Sequence, residues 1–500
     1  MEEQTLFDVE IDNSKWRVSN FSAGDVNIQA ARLKLEDKYW KITEITDKFN
    51  RKSVSYQLSK NDRLHRWLKY KEGFSAELVR ILLRDFKIKP GQNVLDPFMG
   101  SGTTALVARM GGMNSWGVDI LPLSKLSILS KSSVYDYDIS ELDKVIEEVH
   151  DLNTPANYSK KTPFVSTTED GYPEQTSKDL AYYKEFFDNS NHSEEAKRLV
   201  TLCTLNTLES ISYSRKDGQY LRWDYRCPKM VRGAVERELK GKKPLKTMLD
   251  KGTLPSLKEA LLSELNNVIS DIKDIQTAGH PQLAKSYYIE GSSLFELPQM
   301  PSNSIDCVIS SPPYCNRYDY TRTYALELAY LGVDTQGIRM LRQDLLSCTV
   351  ESKSKLQALE DFYIKLDRGD FFYKTLAIVK NNEVLEEILI ALKQRSKNGE
   401  INNKGVIQMV EGYFTELAFI FAEIYRVCRN GARVAFVNDN VRYAGEVIPV
   451  DYLTTMLAES IGFKPIVVYT LYQQKGNSSQ QMKKYGKVNL RKSITVWEKQ

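Results

Sequence analysis

The sequence predicts an α/β fold, a largely parallel sheet with helical insertions that ends in an antiparallel hairpin. Three observations carry that expectation. Residues 93–120 read as strand, glycine loop, helix and strand, the unit from which parallel sheets are assembled. A second apolar run, "IDCVI" at 305–309, stops at the two prolines of "SSPPY" (310–314). Strand character then returns near the end of the chain, after an amphipathic helix.

The 500 residues exceed what one hydrophobic core usually organises, so insertions or several units are expected. With 42% hydrophobic and 27% charged residues, fibrous and wholly disordered classes are excluded. The start, "MEEQTLFDVEIDNSKW", carries no basic leader followed by an apolar block, and no run of about 18 apolar residues suited to a bilayer is expected. The reading is cytoplasmic, with no membrane. Six scattered cysteines without a Cys-x-x-Cys pair, beside four histidines, argue against a zinc or other metal site. A net charge of +4 decides nothing alone. Its distribution says more: between Arg226 and Lys246 eight cations meet only Glu236 and Glu238, which suits either a phosphate backbone or a solvated helix face.

Residues 1–61 form an N-terminal extension whose short alternating pieces, "WRVSNF" and "SVSYQL", read as edge strands. In the block 62–138, Phe74, Leu78, Ile81 and Leu82 recur at helical spacing, which predicts a helix from Ser75 to Phe86 ended by Pro90-Gly91. Val94 and Leu95 then begin a strand that runs into "DPFMGSGTT". A helix follows over 103–110, and "SWGVDI" is the next strand. The block 139–284 is too long for a loop and reads as an inserted lobe. Strands return near "SYYIEGS" and at "IDCVI" in the block 285–333, with a helix expected from Thr323 to Leu331. A helical insertion, 334–408, precedes the last block, 409–500. There a helix from Tyr413 to Arg429, a turn at 429–431 and the strands "ARVAFVN", "KPIVVYTLY" and "KSITVWEK" close the chain, the last two as a hairpin at one edge.

Gly100 and Gly102 stand where a strand turns into a helix, so a ligand can approach the backbone closely, and free amides at the helix start favour a carboxylate. The lysine of a nucleotide P-loop is absent, because Thr103 and Thr104 follow Gly102, and Ala105 occupies the third place of a Gly-x-Gly-x-x-Gly pattern. About 17 residues beyond Gly102, Asp119 ends the second strand, where a carboxylate can accept both hydroxyls of a ribose. Asp96, the two glycines and Asp119 in register describe a cofactor platform.

"DPFMGSGTT" closely resembles the S-adenosyl-L-methionine motif of the DNA amino-methyltransferases, enzymes that modify cytosine N4 or adenine N6, and "SSPPY" resembles their catalytic motif. "FSAELV" resembles their further cofactor motif. The resemblance covers 62–135, 285–332 and 410–498, and it implies a Rossmann-like class I methyltransferase fold. It also implies that Phe74 and Ser75 touch the methionine part, that Phe98, Met99, Gly100, Ser101, Gly102 and Thr103 surround its carboxylate and sulfonium, with Asp96 and Pro97 also at the cofactor, that Asp119 holds the ribose, and that Ile120 packs on adenine. Ser292, in "IEGSS", stands where the family carries an acid for the adenine amino group, with Glu290 as the nearby carboxylate.

The lone pair of an exocyclic base amine is delocalised into the ring, so the nitrogen attacks only when acceptors hold its hydrogens and draw it toward tetrahedral geometry. Ser311 Oγ and the Pro312 carbonyl are the expected acceptors, Pro312 and Pro313 fix the loop, and Tyr314 stacks on a base flipped out of double-stranded DNA. Asn316 and Tyr318 are expected beside the pocket and Arg317 at a phosphate. Within the family a serine in the first place accompanies cytosine more often, and an aspartate adenine.

The cofactor motif precedes the catalytic one with a long gap, which in this family holds the target-recognition region. In the gap, Arg215, Lys216, Arg222 and Arg226 alternate with Tyr213, Tyr220, Trp223 and Tyr225, a pattern suited to phosphates and base stacking. The same stretch also reads as an edge hairpin turning at Asp217-Gly218. The function expected is site-specific DNA methylation, at cytosine N4 or else adenine N6, beside a cognate restriction endonuclease or as an orphan. The rivals are an RNA or protein-amide methyltransferase and an inactive DNA-binding subunit.

Overall fold

A computed structural model describes residues 13–24, 26–218, 220–243, 248–279, 284–472 and 484–500. The chain divides into two compact units, one of residues 52–353 and one combining 1–51 with 354–500.

The unit 52–353 holds four parallel strands in the order Ile305–Ser310, Asn93–Asp96, Asn114–Asp119, Ser286–Glu290. The helix Thr103–Met110 crosses between the second and third, the expected strand-helix-strand unit. In register Asp96 lies opposite Gly117, and Asp119 opposite Glu290, so the strands end together at one carboxyl edge. Open α/β sheets take their ligands at this edge. Ser75 caps the helix Ala76–Asp85 by accepting the Leu78 amide, which places the start within a residue of expectation. The block 139–284 is helical, and its longest helices, Glu194–Ile211 and Leu257–Thr277, share one apolar core. The segment 214–223 forms the expected hairpin, Ser214–Asp217 against Tyr220–Trp223.

In the other unit, the strand Phe463–Leu471 pairs antiparallel with Lys492–Lys499, which pairs antiparallel with Cys428–Asp439. The C-terminal hairpin thus forms, but not at an edge: Thr43–Thr46, from the N-terminal segment, covers it by pairing parallel with Phe463–Leu471. Buried charges join the two chain segments. Arg491 meets Glu36 and Asp451, and Arg32 meets Glu387 and Glu446 at 2.8–2.9 Å. Removing one member of such a set strands a charge in the interior.

Several local expectations need correction. "WRVSNF" and "SVSYQL" are not strands; turns and a short 3-10 helix replace them. The turn expected at 429–431 lies inside the strand Cys428–Asp439, and the helix before it starts earlier, at Gly405. The helix expected over 323–331 is two short ones, Tyr320–Thr323 and Ala325–Tyr330, broken at Tyr324. Finally, Gly405–Val427 is long and apolar enough to cross a membrane by length and composition, contrary to the expectation of no such run. It is largely buried, with Phe421 packed on Phe436 and Trp497, the environment of a core helix.

Candidate active site

A pocket opens at the carboxyl edge of the parallel strands. Its floor is the loop 97–103. Gly100 and Gly102 both adopt left-handed backbone (φ +54° and +86°), and a Cβ on Gly100 would stand 2.8 Å from the Tyr70 ring, on Gly102 2.7 Å from Ile128. Only glycine fits these positions without displacing a packed side chain. The Gly100 amide donates to Asp119 Oδ2 at 2.7 Å and the Leu121 amide to Oδ1 at 2.9 Å. Burial pushes the Asp119 carboxyl up to about 6, against the pull of these amides.

Asp96 has a different job from Asp119. Its Oδ1 accepts the Phe98 amide at 3.0 Å and the Ser310 hydroxyl at 2.5 Å, so it binds the ends of two strands and starts the loop turn. Burial raises it, too, to about 6. Ser310, the first serine of "SSPPY", is fully buried in this bond. Its role was not read from the sequence, where Ser311 drew the attention.

Of the residues expected at the cofactor, Phe74, Asp96, Pro97, Phe98, Gly100, Ser101, Thr103, Asp119, Ile120 and Ser292 line the pocket. Ser75 does not: its hydroxyl donates to the Ser53 carbonyl at 2.8 Å while capping its helix, and the side chain is buried. Gly102 shapes the loop without lining the pocket. Ser292 Oγ donates to the Asp344 carbonyl at 2.9 Å. Glu290 is turned away, paired with Lys125 at 2.7 Å outside the pocket.

Of the catalytic motif, Ser311 and Pro313 line the same pocket, and Ser311 Oγ donates to the Tyr314 hydroxyl at 3.2 Å. Pro312 is buried and Tyr314 half-buried, neither among the lining residues. Asn316 accepts the Tyr318 amide, and Arg317 is exposed with a φ of +66°. Tyr318 is buried and donates to Glu72, while Tyr320 takes the place at the pocket wall.

Three contributions escaped the sequence reading. Asp344, Leu345 and Leu346, from the stretch read as a helical insertion, complete the wall. Glu72, given no role by the sequence reading, lines the pocket. Lys131, fully buried, donates to the Ser101 carbonyl at 2.9 Å and so props the loop from behind; burial drops its ammonium to about 7. A lysine in an apolar helix gives no local sign of such a bond.

The expected DNA-reading residues divide. Arg215 is exposed. Lys216 is not available to DNA: it is buried, paired with Glu327, with its ammonium 4.1 Å from the centre of the Tyr324 ring. Arg222 pairs with Asp217 at 2.9 Å, and Arg226 with Asp224 through two bonds of 2.7 and 2.9 Å. Trp223 carries the Lys229 ammonium 3.1 Å above its ring. The Tyr220 side chain and Lys246 lie outside the described residues. The helix Pro228–Leu239 buries none of its residues and keeps Arg232 and Arg237 at the surface.

A glycine cradle with an acid one strand away suits an adenosyl cofactor, and a proline-fixed acceptor loop beside it suits an amine receiving a methyl group; together they define a methyltransferase site. At Gly100 no Cβ intrudes on the loop, and the pocket lining of small residues, carboxylates and apolar side chains fits that cofactor. Comparison with known proteins gives the family. A model described as DNA methylase matches residues 10–124. The Type II methyltransferase M.BsoBI of Geobacillus stearothermophilus is 52% identical over 99% of this chain and 97% of its own. The Type II methyltransferase M.AvaI of Nostoc sp. strain PCC 7120 is 35% identical over 93% and 92%. M.MjaII of Methanocaldococcus jannaschii is 38% identical over a shorter stretch, 18% and 16%. The chain belongs to the Type II DNA methyltransferases of the N4/N6 amino-methyltransferase family, with a Rossmann-like fold and S-adenosylmethionine as methyl donor.

Proposed function

We propose that the enzyme methylates the 4-amino group of cytosine within a specific double-stranded DNA sequence, protecting cytoplasmic host DNA from a cognate restriction endonuclease. The observation that carries the choice of base is Ser311 at the head of the Pro-Pro-Tyr loop, where a neutral hydroxyl stands in place of a carboxylate. When bound, S-adenosylmethionine supplies an electrophilic methyl group on a sulfonium. Asp119 accepts the ribose hydroxyls, the amides of the loop 98–103 receive the methionine carboxylate, and Phe74 and Ile120 pack against the ligand.

Ser311 Oγ and the Pro312 carbonyl hold the amine hydrogens and aim the nitrogen lone pair at the methyl carbon. Tyr314 holds the flipped base by its face. Support for this arrangement comes from Ser311 and Pro313 sharing one pocket with Asp119 and the glycine loop. The block 139–284 reads the target, with Arg215, Arg222, Arg226 and the surface cations of Pro228–Leu239 contacting phosphates. Expression in cells without other methylases, followed by mass spectrometry of digested DNA nucleosides, tests the proposal. N4-methylcytosine is expected; N6-methyladenine in its place overturns the choice of base.

A further inference from the structure

We infer that Glu72 is the acceptor for the α-ammonium group of the cofactor's methionine end. The inference rests on the pocket above being the cofactor site. An amino-acid end is a zwitterion: the loop amides answer its carboxylate, but they are donors and leave its ammonium without an acceptor.

Four carboxylates line the pocket: Glu72, Asp96, Asp119 and Asp344. Asp96 is spent on Phe98 and Ser310, and Asp119 ends the strand on the ribose side. Asp344 stands beside Ser292, which follows the strand Ser286–Glu290 paired with the strand that Asp119 ends. Glu72 is placed at the amino-acid end. It precedes Gly73, where a Cβ would lie 3.9 Å from Ser101 Oγ on the glycine loop, and Phe74 follows.

The charge of Glu72 is answered only at a distance, by Lys216. One oxygen accepts the Tyr318 hydroxyl and the other the Tyr324 hydroxyl, both neutral donors. The cation facing it, Lys216, is held by Glu327, and no ion pair to Glu72 is present among the described residues. Burial raises the Glu72 carboxyl above its usual range, as expected for an anion short of a counter-charge. Tyr70, stacked on Tyr324 with ring centres 5.2 Å apart, fixes the wall on which this set is mounted. The two tyrosines orient the carboxylate before the ligand arrives, so little ordering cost is left for binding.

The test uses calorimetric titration of the full chain with S-adenosylhomocysteine and with its deaminated analogue, which lacks only the amino group. The wild type is expected to prefer the amine by about tenfold or more, the usual range for a charge-assisted hydrogen bond in a pocket. Glu72→Gln should bind both ligands alike, at the weaker level. Asp119→Asn should weaken both by a common factor. If Asp119→Asn weakens both while Glu72→Gln keeps the wild-type preference, the Glu72 inference fails and the pocket stands. If neither variant alters binding, the pocket reading fails with it. A wild type that binds the two ligands equally overturns the inference without any variant.

Discussion

The Gly100 amide donates to the Asp119 carboxylate at 2.7 Å, so the acid that ends one strand also fastens the glycine loop that leaves its neighbour. Loop shape and the proposed ribose acceptor are thereby one unit. Gly100→Ala forces a side chain into left-handed backbone and against Tyr70, and is expected to cost about 1–3 kcal/mol of stability. Cofactor affinity should fall with it, read by thermal melting and titration of the same preparation.

Asp119 accepts on both oxygens only when ionised, since protonation turns one of them into a donor, and burial holds its carboxyl near 6. Cofactor affinity should therefore be full above about pH 7 and fall as pH drops through 6. Asp119→Asn should bind weakly at every pH with that step absent. A wild-type profile flat from pH 7 to 5 would refute the link.

Lys131 titrates in the other sense. With its folded value near 7 and an ordinary value of 10.5, the unfolded chain binds more protons between those limits, so stability rises with pH across that window. In Lys131→Met this contribution disappears. The variant's stability relative to wild type should be greatest near pH 7 and shrink toward pH 10, measured by denaturant titration.

In the proposed mechanism Ser311→Ala removes an acceptor aimed at the reacting amine but leaves the cofactor cradle intact. The turnover rate should fall on the order of 10²-fold, as for loss of one preorganised polar group. The S-adenosylhomocysteine affinity should stay within twofold or so of wild type.

Lys216 and Arg215 are neighbours with opposite fates. Lys216→Ala strands Glu327 in the interior and should cost about 3–5 kcal/mol of stability. Arg215→Ala should leave stability unchanged and lower the salt slope of DNA binding by about 1.

The contrast between those two residues shows how far the sequence reaches. Local pattern was enough for the helix Thr103–Met110, the strands on either side of it, and the hairpin at 214–223, because periodicity, glycines and turn residues act over a few positions. The motif residues around the glycine loop and the Pro-Pro-Tyr loop were legible for the same reason: close approach of a ligand leaves its mark in glycine and proline. What the alternating stretch 213–226 could not reveal is which cations meet water. A lysine next to an arginine on the same strand looks equivalent until Glu327, over a hundred residues away, takes its charge.

The sequence by itself determined the fold class, the family and the two motif loops, since each is written in short-range residue patterns. Tertiary structure decided that Ser75 caps a helix, that Ser310 ties Asp96, that Asp344 closes the wall and that Glu72 faces the pocket. The physical reason is the same in each case: a polar group's partner is set by which distant segment desolvates it, and no local pattern carries that information.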